Sequence, residues 1–194
     1  VVLQCVFLYP MLKEKKKDIR ALTKDQLRDF FIDNGDKAFR GNQIYEWLWK
    51  KGAHSFGAMT NLSKETRVFL EEHFVINHIK VDDMQKSLDG TIKNAVKLHD
   101  GLTVESVLIP TETRTTACVS SQVGCSLNCE FCATARLKSM RNLEPDEIYD
   151  QVIAIDQQSR LYHNMPLSNI VFMGMGEPLM NYNNVLKSIE KITS

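Results

Sequence analysis

Four of the five cysteines in this 194-residue chain lie between Cys118 and Cys132. Cys125, Cys129 and Cys132 follow the spacing C-x3-C-x2-C, and Phe131 directly precedes the last of them. Three thiolates at this spacing can wrap one loop around a corner of an iron–sulfur cluster, although most such clusters use four cysteine ligands. The spacing therefore predicts a cluster in which one iron lacks a protein ligand and can bind a small molecule.

Zinc and disulfides are the alternatives for these cysteines. A structural zinc site needs four protein ligands, but no histidine lies between Ala117 and Tyr162 and the chain has no second C-x2-C pair. A disulfide scaffold fits less well, because the chain is long, poor in cysteine, and would keep one unpaired thiol. The pattern favours a cluster over zinc, and zinc over disulfides.

Two longer strings narrow the class of protein. They read ACVSSQVGCSLNCEFCATA and NIVFMGMGEPLMNYNNV. The cysteine triplet resembles the signature of radical S-adenosylmethionine (SAM) enzymes. From about Lys17 onward the chain resembles the RlmN family, which methylates C2 of adenine in 23S rRNA and tRNA. The resemblance implies a [4Fe-4S] cluster on Cys125, Cys129 and Cys132, with SAM bound at the open iron.

The string GMGEP follows a predicted short strand and has two interpretations. Glycine-rich turns commonly do no more than permit tight backbone geometry. The resemblance instead implies that Gly176 and Glu177 contact the methionine part of SAM, whose charged amino group suits a carboxylate and backbone groups. We therefore expect these two residues to bind the cofactor.

Two further side chains receive roles through the resemblance. Glu105 lies in an apolar strand, where alternation predicts that its side chain faces solvent, although a carboxylate in a pocket could act as a base. Cys118 lies outside the triplet, and such a thiol is ordinarily only a small buried side chain. The resemblance implies that Glu105 is the proton acceptor and that Cys118 is a catalytic thiol.

The same resemblance implies a reaction sequence. One SAM methylates a second cysteine, and the reduced cluster cleaves another SAM to a radical that removes hydrogen from the S-methyl group. The resulting carbon radical adds to adenine C2, which is too electron-poor to attack SAM directly. Glu105 takes the C2 proton, and Cys118 frees the product by forming a disulfide with the second cysteine.

The methyl-carrying cysteine of the family lies near the C-terminus of a longer chain, and Cys5 is in the wrong place to substitute for it. We therefore expect this sequence to be the N-terminal part of a longer protein and to be inactive alone. The opening twelve residues are apolar but too short to cross a bilayer. The basic run after them is unlike a signal peptide, and we expect the natural start at Met11.

Composition leaves the partners open, because 24 Lys and Arg balance 24 Asp and Glu. Zero net charge by itself predicts neither nucleic-acid nor membrane binding, so RNA binding would need locally clustered basic residues. Free clustered cysteines indicate a reducing cytoplasm. The resemblance adds 23S rRNA and tRNA as substrates, a reductant such as flavodoxin or ferredoxin, and a full-length monomer.

The sequence pattern predicts an α/β fold with a helical start. Three short helices are expected, with N-caps at Thr23 and Ser63 for the first and third. The second has Phe39, Ile44, Trp47 and Leu48 at helical spacing. A later helix is expected to begin at Pro145, to place Ile148, Val152 and Ile155 on one side, and to end near Arg160. The turn signals Asp89-Gly90 and Asp100-Gly101 predict an antiparallel meander, and alternating strands and helices follow. The expected divisions are a leader (1–16), a helical subdomain (17–74), a β meander (75–111) and the start of an α/β domain (112–194). The resemblance implies that residues 17–74 form an RNA-contacting accessory subdomain and that residues 112–194 begin an incomplete radical SAM (β/α)6 barrel.

The sequence is compatible with three alternative functions. The related chloramphenicol–florfenicol resistance methyltransferases modify C8 of the same adenine, but they carry alanine where Pro178 stands here. A non-catalytic metal-binding module that docks on RNA belongs to a different class. Another radical SAM activity is a third possibility, against which the accessory region and the match after Cys118 both argue.

Overall fold

The structure is a computed structural model that describes residues 16–193. The predicted start at Met11, Cys5 and almost all of the predicted leader lie outside the described residues. The helices are α1 (Lys24–Asp33), α2 (Phe39–Trp49), α3 (Lys64–His73), α4 (Pro145–His163) and α5 (Tyr182–Thr193). The strands are β1 (Lys17–Asp18), β2 (Phe74–Val75), β3 (Lys80–Lys86), β4 (Ile92–Lys97), β5 (Thr103–Pro110), β6 (Thr115–Cys118), β7 (Gln122–Val123), β8 (Arg141–Asn142) and β9 (Asn169–Val171).

Side-chain caps begin two of the three N-terminal helices, as predicted. The amide of Gln26 donates to Thr23 Oγ1 at 3.2 Å, and the amide of Thr23 donates back to Gln26 Oε1 at 2.9 Å. This reciprocal pair satisfies amides that have no partner inside the helix. The amide of Thr66 similarly donates to Ser63 Oγ at 3.2 Å. Local sequence therefore determines where α1 and α3 begin.

The N-terminal helices enclose a core of their own. Leu27 and Phe31 of α1 and Ile44 and Leu48 of α2 are at most 1% exposed. Phe39, which helical spacing placed with these apolar residues, is 46% exposed. Phe39 lies five residues before Ile44 and nine before Leu48, so at about 3.6 residues per turn its side chain faces away from both of them.

A five-stranded sheet lies at the centre of the second part of the chain. Its strand order is β3-β4-β5-β6-β9; the first four strands are antiparallel, and β9 runs parallel to β6. The predicted meander therefore continues directly into the predicted start of the barrel. The proposed division at residue 111 falls between two hydrogen-bonded strands, and it stays a prediction.

Helix α4 connects β6 to β9 by way of the cysteine loop and packs on the sheet. Ile148 and Ile155 are fully buried and Val152 is 4% exposed, as predicted for one apolar face. The helix continues to His163, three residues past its expected end at Arg160. It stops where Asn164 adopts a left-handed conformation with φ of 51°, which asparagine tolerates better than most residues.

The helical region is joined to α4 by a buried ionic cluster and by a hydroxyl contact. Arg20 Nη1 lies 2.8 Å from Asp150 Oδ1, and Arg20 Nη2 lies 2.9 Å from Asp146 Oδ2. Tyr149 Oη donates to the carbonyl of Trp49 at 2.5 Å. These contacts seat the helical region beside the N-terminal half of α4. Within residues 16–193, no helix is both long and apolar enough to traverse a bilayer.

Candidate functional site

The candidate site is built at the carboxyl edge of β6 and β9. Cys118 of β6 lies opposite Val171 of β9 in the parallel register, so both strands end side by side. The amides of Ser121 and Gln122 donate to the carbonyl of Met175 at 2.9 and 3.2 Å. These bonds bring the start of the cysteine loop against the glycine-rich turn, as the positions of both motifs after strands predicted.

The cysteine loop is closed at its base by a short pair of strands. Strands β7 and β8 pair antiparallel, with Val123 opposite Arg141. Between them, the amide of Cys132 donates to the carbonyl of Cys129 at 3.1 Å, and a 3-10 helix (Ala133–Arg136) follows at once. Cys129 and Cys132 therefore lie on one tight turn at the rim of the site.

The three loop thiols have the chemistry of cluster ligands. Cys125, Cys129 and Cys132 are free and only partly buried. Hydrogen bonds from the backbone amides of Ala135 and Thr134 lower the pKa of the Cys132 thiol. A cysteine that binds a metal must be deprotonated. These hydrogen bonds favour the thiolate form of Cys132, which is the form that can bind a metal.

The loop alone does not assemble a metal site. Across residues 16–193, no three Cys, His, Asp or Glu side chains converge closely enough to hold an ion, so the three thiols do not meet at one point. The sequence predicted these ligands from their spacing.

Cys118 lies at the end of β6 and is half-buried. Burial raises the pKa of its thiol, and a hydrogen bond from the backbone of Met173 opposes that effect. Burial therefore favours the protonated form of the Cys118 thiol, which lies next to the glycine-rich turn. A reaction that uses its thiolate must first remove this proton.

Glu105 projects from β5 on the exposed side of the sheet, as alternation predicted. Its carboxylate Oε1 lies 2.6 Å from Lys93 Nζ, and both side chains are half-exposed. Lys93 belongs to β4, where it lies opposite Val107, so the pair is a diagonal one across the hairpin. Sequence reasoning missed Lys93, because the register of the two strands was unknown.

The glycine-rich turn holds Gly176 and Glu177 beside the loop base. Gly176 has φ of 92°, and a Cβ there would lie 2.5 Å from Gln122 Cβ. The amide of Glu177 donates to Gln122 Oε1 at 2.9 Å. The Glu177 carboxylate accepts the amide of Leu179 at 3.1 Å and caps a short 3-10 helix. Only glycine fits at 176, and Gln122 was also missed from sequence.

Together, the loop and the turn define the class. Three free thiols spaced C-x3-C-x2-C and a glycine-rich turn after the neighbouring parallel strand are typical of the radical SAM superfamily. The family profile of that name matches residues 119–193. A second profile, described as the ribosomal RNA large subunit methyltransferase N-terminal domain, matches residues 17–76.

Similar proteins narrow the class to one family. A probable dual-specificity RNA methyltransferase RlmN from Flavobacterium johnsoniae is 81% identical over 180 residues, which cover 93% of this chain and 52% of that protein. The dual-specificity RNA methyltransferase RlmN of Geobacter sulfurreducens is 46% identical over 173 residues, covering 89% and 46%. The chain belongs to the RlmN family, and it spans about half the length of these curated relatives.

A solved structure agrees with the fold. The crystal structure of a radical SAM methyltransferase from Sphaerobacter thermophilus superposes with a TM-score of 0.80 at 34% sequence identity. The match covers 92% of this chain and 52% of that one. The helical region, the sheet and the two βα units therefore correspond to half of a larger radical SAM methyltransferase fold.

Proposed function

We propose that the full-length protein carrying this chain is a radical SAM RNA methyltransferase that modifies C2 of adenine in 23S rRNA and tRNA. The observation that carries the proposal is the 81% identity to a relative named a dual-specificity RNA methyltransferase, which spans both the helical and the α/β regions. Relatives of that name at 46% and 39% identity match over 89% and 93% of the chain. The free thiols of the cysteine loop support it.

The donor set fits the two groups that the superfamily uses. Cys125, Cys129 and Cys132 would hold a [4Fe-4S] cluster, and Gly176 and Glu177 would contact SAM. When bound, these groups supply the one-electron cleavage that generates a carbon radical. The amides around the Cys132 thiol favour the thiolate that iron requires. The Glu177 carboxylate can pair with an amino group while its amide stays on Gln122.

Glu105 and Cys118 would complete the reaction. In this proposal Glu105 accepts the C2 proton, and its contact with Lys93 orients the carboxylate before the substrate arrives. The Cys118 thiolate would then attack the sulfur of a second cysteine whose former methyl carbon now bridges to adenine C2. The S–S bond forms as the C–S bond breaks, and the released carbon takes up a proton to become the methyl group of the RNA. The raised pKa of the Cys118 thiol means that its proton must leave during turnover.

The remaining partners follow from the same proposal. We expect a one-electron reductant such as flavodoxin or ferredoxin, a monomeric full-length protein, and a cytoplasmic location where thiols stay reduced. The helical region would contact RNA. Its cation–aromatic pair is of the kind that stacks on bases: Lys51 is exposed, and its Nζ lies 4.0 Å from the centre of the partly buried Trp47 ring.

Mapping the modified adenosine tests the proposal. The full-length protein, reconstituted anaerobically with iron and sulfide, should methylate C2 of adenosine in 23S rRNA and tRNA, as read by mass spectrometry of digested RNA. Cys125→Ser should abolish both cluster content and methylation, whereas Ser126→Ala in the same loop should preserve both. The 194-residue chain alone should be inactive.

Three results would contradict the proposal. Methylation at C8 would assign the protein to the resistance methyltransferases. One tightly held zinc, with no iron and no SAM-dependent spectral change, would indicate a docking module. Methylation that survives Cys125→Ser would remove the cluster from the reaction.

A further inference from the structure

A single buried hydroxyl joins two parts of the candidate site. Ser120 is fully buried, and its Oγ donates to the carbonyl of Glu105 at 2.5 Å. The same Oγ accepts the amide of Met175 at 2.8 Å. A serine hydroxyl has one proton to donate, so the two contacts are complementary and fix its orientation.

This hydroxyl replaces a bond of the β-sheet. The antiparallel ladder between β5 and β6 ends where Val107 faces Cys118, and the same register extended by two residues would place Glu105 opposite Ser120. The amide of Ser120 is instead turned away from β5, toward Gln151. The side chain therefore holds the Glu105 strand at the point where the backbone no longer can.

Gln151 holds the main chain of Ser120 from the side of α4. The Ser120 amide donates to Gln151 Oε1 at 2.9 Å, and Gln151 Nε2 donates to the Ser120 carbonyl at 3.2 Å. Gln151 is fully buried, and its Nε2 also reaches the carbonyl of Glu147 at 3.2 Å. Neither Ser120 nor its contacts can shift without disturbing this amide.

Ser120 packs so closely against the glycine-rich turn that no side chain would fit between them. A Cβ at Gly174 would lie 2.7 Å from Ser120 Oγ and 2.8 Å from Ser120 N. The turn approaches Ser120 as closely as a backbone without a side chain allows. Ser120 therefore holds the amide of Met175, next to the Ser121 and Gln122 amides that hold its carbonyl.

We propose that Ser120, held by Gln151, is a positioning residue that couples the SAM-binding turn at Gly176 to the strand of Glu105. This inference rests on the proposed function. Ser120 touches neither the Glu105 carboxylate nor SAM, but it sets the position of the SAM-binding turn relative to the Glu105 strand. Removing the hydroxyl would leave the buried Met175 amide without a partner, and the turn would relax away from the geometry that binds SAM.

Hydrogen exchange in the full-length protein tests the coupling between Ser120 and the glycine-rich turn. Ser120→Ala should raise the exchange rate of the Met175 amide on the order of tenfold. Ser159→Ala is the matched control. Ser159 is also fully buried, and its Oγ lies 2.7 Å from the Met165 carbonyl and 2.9 Å from Thr115 Oγ1. That variant should leave the Met175 amide protected.

SAM binding tests the consequence in the reconstituted full-length protein. Ser120→Ala should retain wild-type iron and sulfide and an unchanged spectrum of the reduced cluster without SAM. It should need on the order of ten times more SAM for the SAM-dependent spectral change. Ser159→Ala should lose comparable thermal stability but keep wild-type SAM affinity.

Outcomes that would overturn the inference are distinct from those that would overturn the function. Wild-type SAM affinity and Met175 exchange in Ser120→Ala would eliminate Ser120 as a positioning residue, even if the enzyme methylates C2. If Ser120→Ala fails to fold, Gln151→Met retains the hydroxyl and should weaken SAM binding in the same direction. An unchanged affinity there would also refute the inference. A wild-type protein that binds SAM but leaves RNA unmodified would refute only the function.

Discussion

The helical region (residues 17–76) and the α/β region (residues 80–193) bury different kinds of side chain. The helical core is made of apolar residues, many of them aromatic. Among the buried polar or charged side chains of residues 16–193, only Arg20 belongs to the helical region. The others lie in the α/β region, and Ser120, Gln122 and Gln151 stand directly behind the candidate site.

The difference shows where each region obtains its specificity. Apolar packing is non-directional and is satisfied by any close fit of about the right volume. Buried polar groups require partners at defined angles and distances. The helical region therefore depends mainly on apolar side chains of the right volume and on N-caps that start its helices. The α/β region holds its cysteine loop and glycine-rich turn through hydrogen bonds whose geometry tolerates little change.

The largest effect should come from the apolar core of the helical region. Phe31 is fully buried, and Phe31→Ala should lower the free energy of unfolding by about 3–5 kcal/mol, because it removes packing and leaves a cavity. Phe39→Ala, at a half-exposed ring in the same region, should cost less than about 1 kcal/mol. Urea denaturation measures both, and equal losses would contradict the comparison.

The second largest loss of stability should come from the ionic cluster between the two regions, which Arg20 forms with Asp146 and Asp150. At about pH 8, above the Asp146 pKa of about 7, Arg20→Met leaves Asp146 and Asp150 without their cation. It should then cost about 3 kcal/mol, because breaking a buried pair leaves its partners without a counter-charge. Arg28→Met removes an exposed pair with Asp25 and should change stability by less than about 0.5 kcal/mol. Chemical denaturation separates the two; a small loss for Arg20→Met would mean that this junction contributes little.

The same cluster should make stability depend on pH. Burial raises the pKa of Asp146 to about 7, against the opposing charge of Arg20. A carboxyl group whose pKa is raised in the folded state stabilises the fold at low pH and loses that contribution as pH rises toward 7. Relative to Asp146→Asn, the wild type should lose up to about 1.4 kcal/mol per pH unit between about pH 4 and 7. A flat difference between the two pH profiles would contradict this.

The smallest effect should come from a helix cap. Thr23→Ala removes the hydroxyl that accepts the Gln26 amide, and it should lower stability by about 1 kcal/mol. Thr60→Ala, at an exposed threonine in the same region, should be neutral within about 0.5 kcal/mol. Thermal denaturation of both variants measures the cap. Equal melting temperatures would show that tertiary packing alone holds α1.

Much of the fold could be predicted because its signals are local. The caps at Thr23 and Ser63, the apolar face of α4 and the antiparallel meander follow from neighbouring residues and short periodicities. The end of α4 was misjudged by three residues, because Asn164 stops the helix through a left-handed conformation that spacing does not show. The prediction that grouped Phe39 with Ile44 and Leu48 was wrong, because separations of five and nine residues place Phe39 on the other side of α2.

The candidate site divides in the same way. The cysteine spacing identified the loop, and the strings around it identified the family to which the comparisons assign the chain. Lys93, Gln122, Ser120 and Gln151 have no signal in the sequence, since their roles arise from contacts between strands and helices distant along the chain. The catalytic and ligand roles of the predicted residues stay proposals.

The sequence by itself determined the family and the place of its cysteine loop, because the motif residues lie close together along the chain and because caps and turns act within a few residues. Tertiary structure alone decided how that loop meets the rest of the site. The register of β5, β6 and β9 brings Glu105, Ser120 and Met175 within hydrogen-bonding reach. Hydrogen bonds depend on distances in space, and no local pattern encodes the meeting of residues fifteen and fifty-five positions apart.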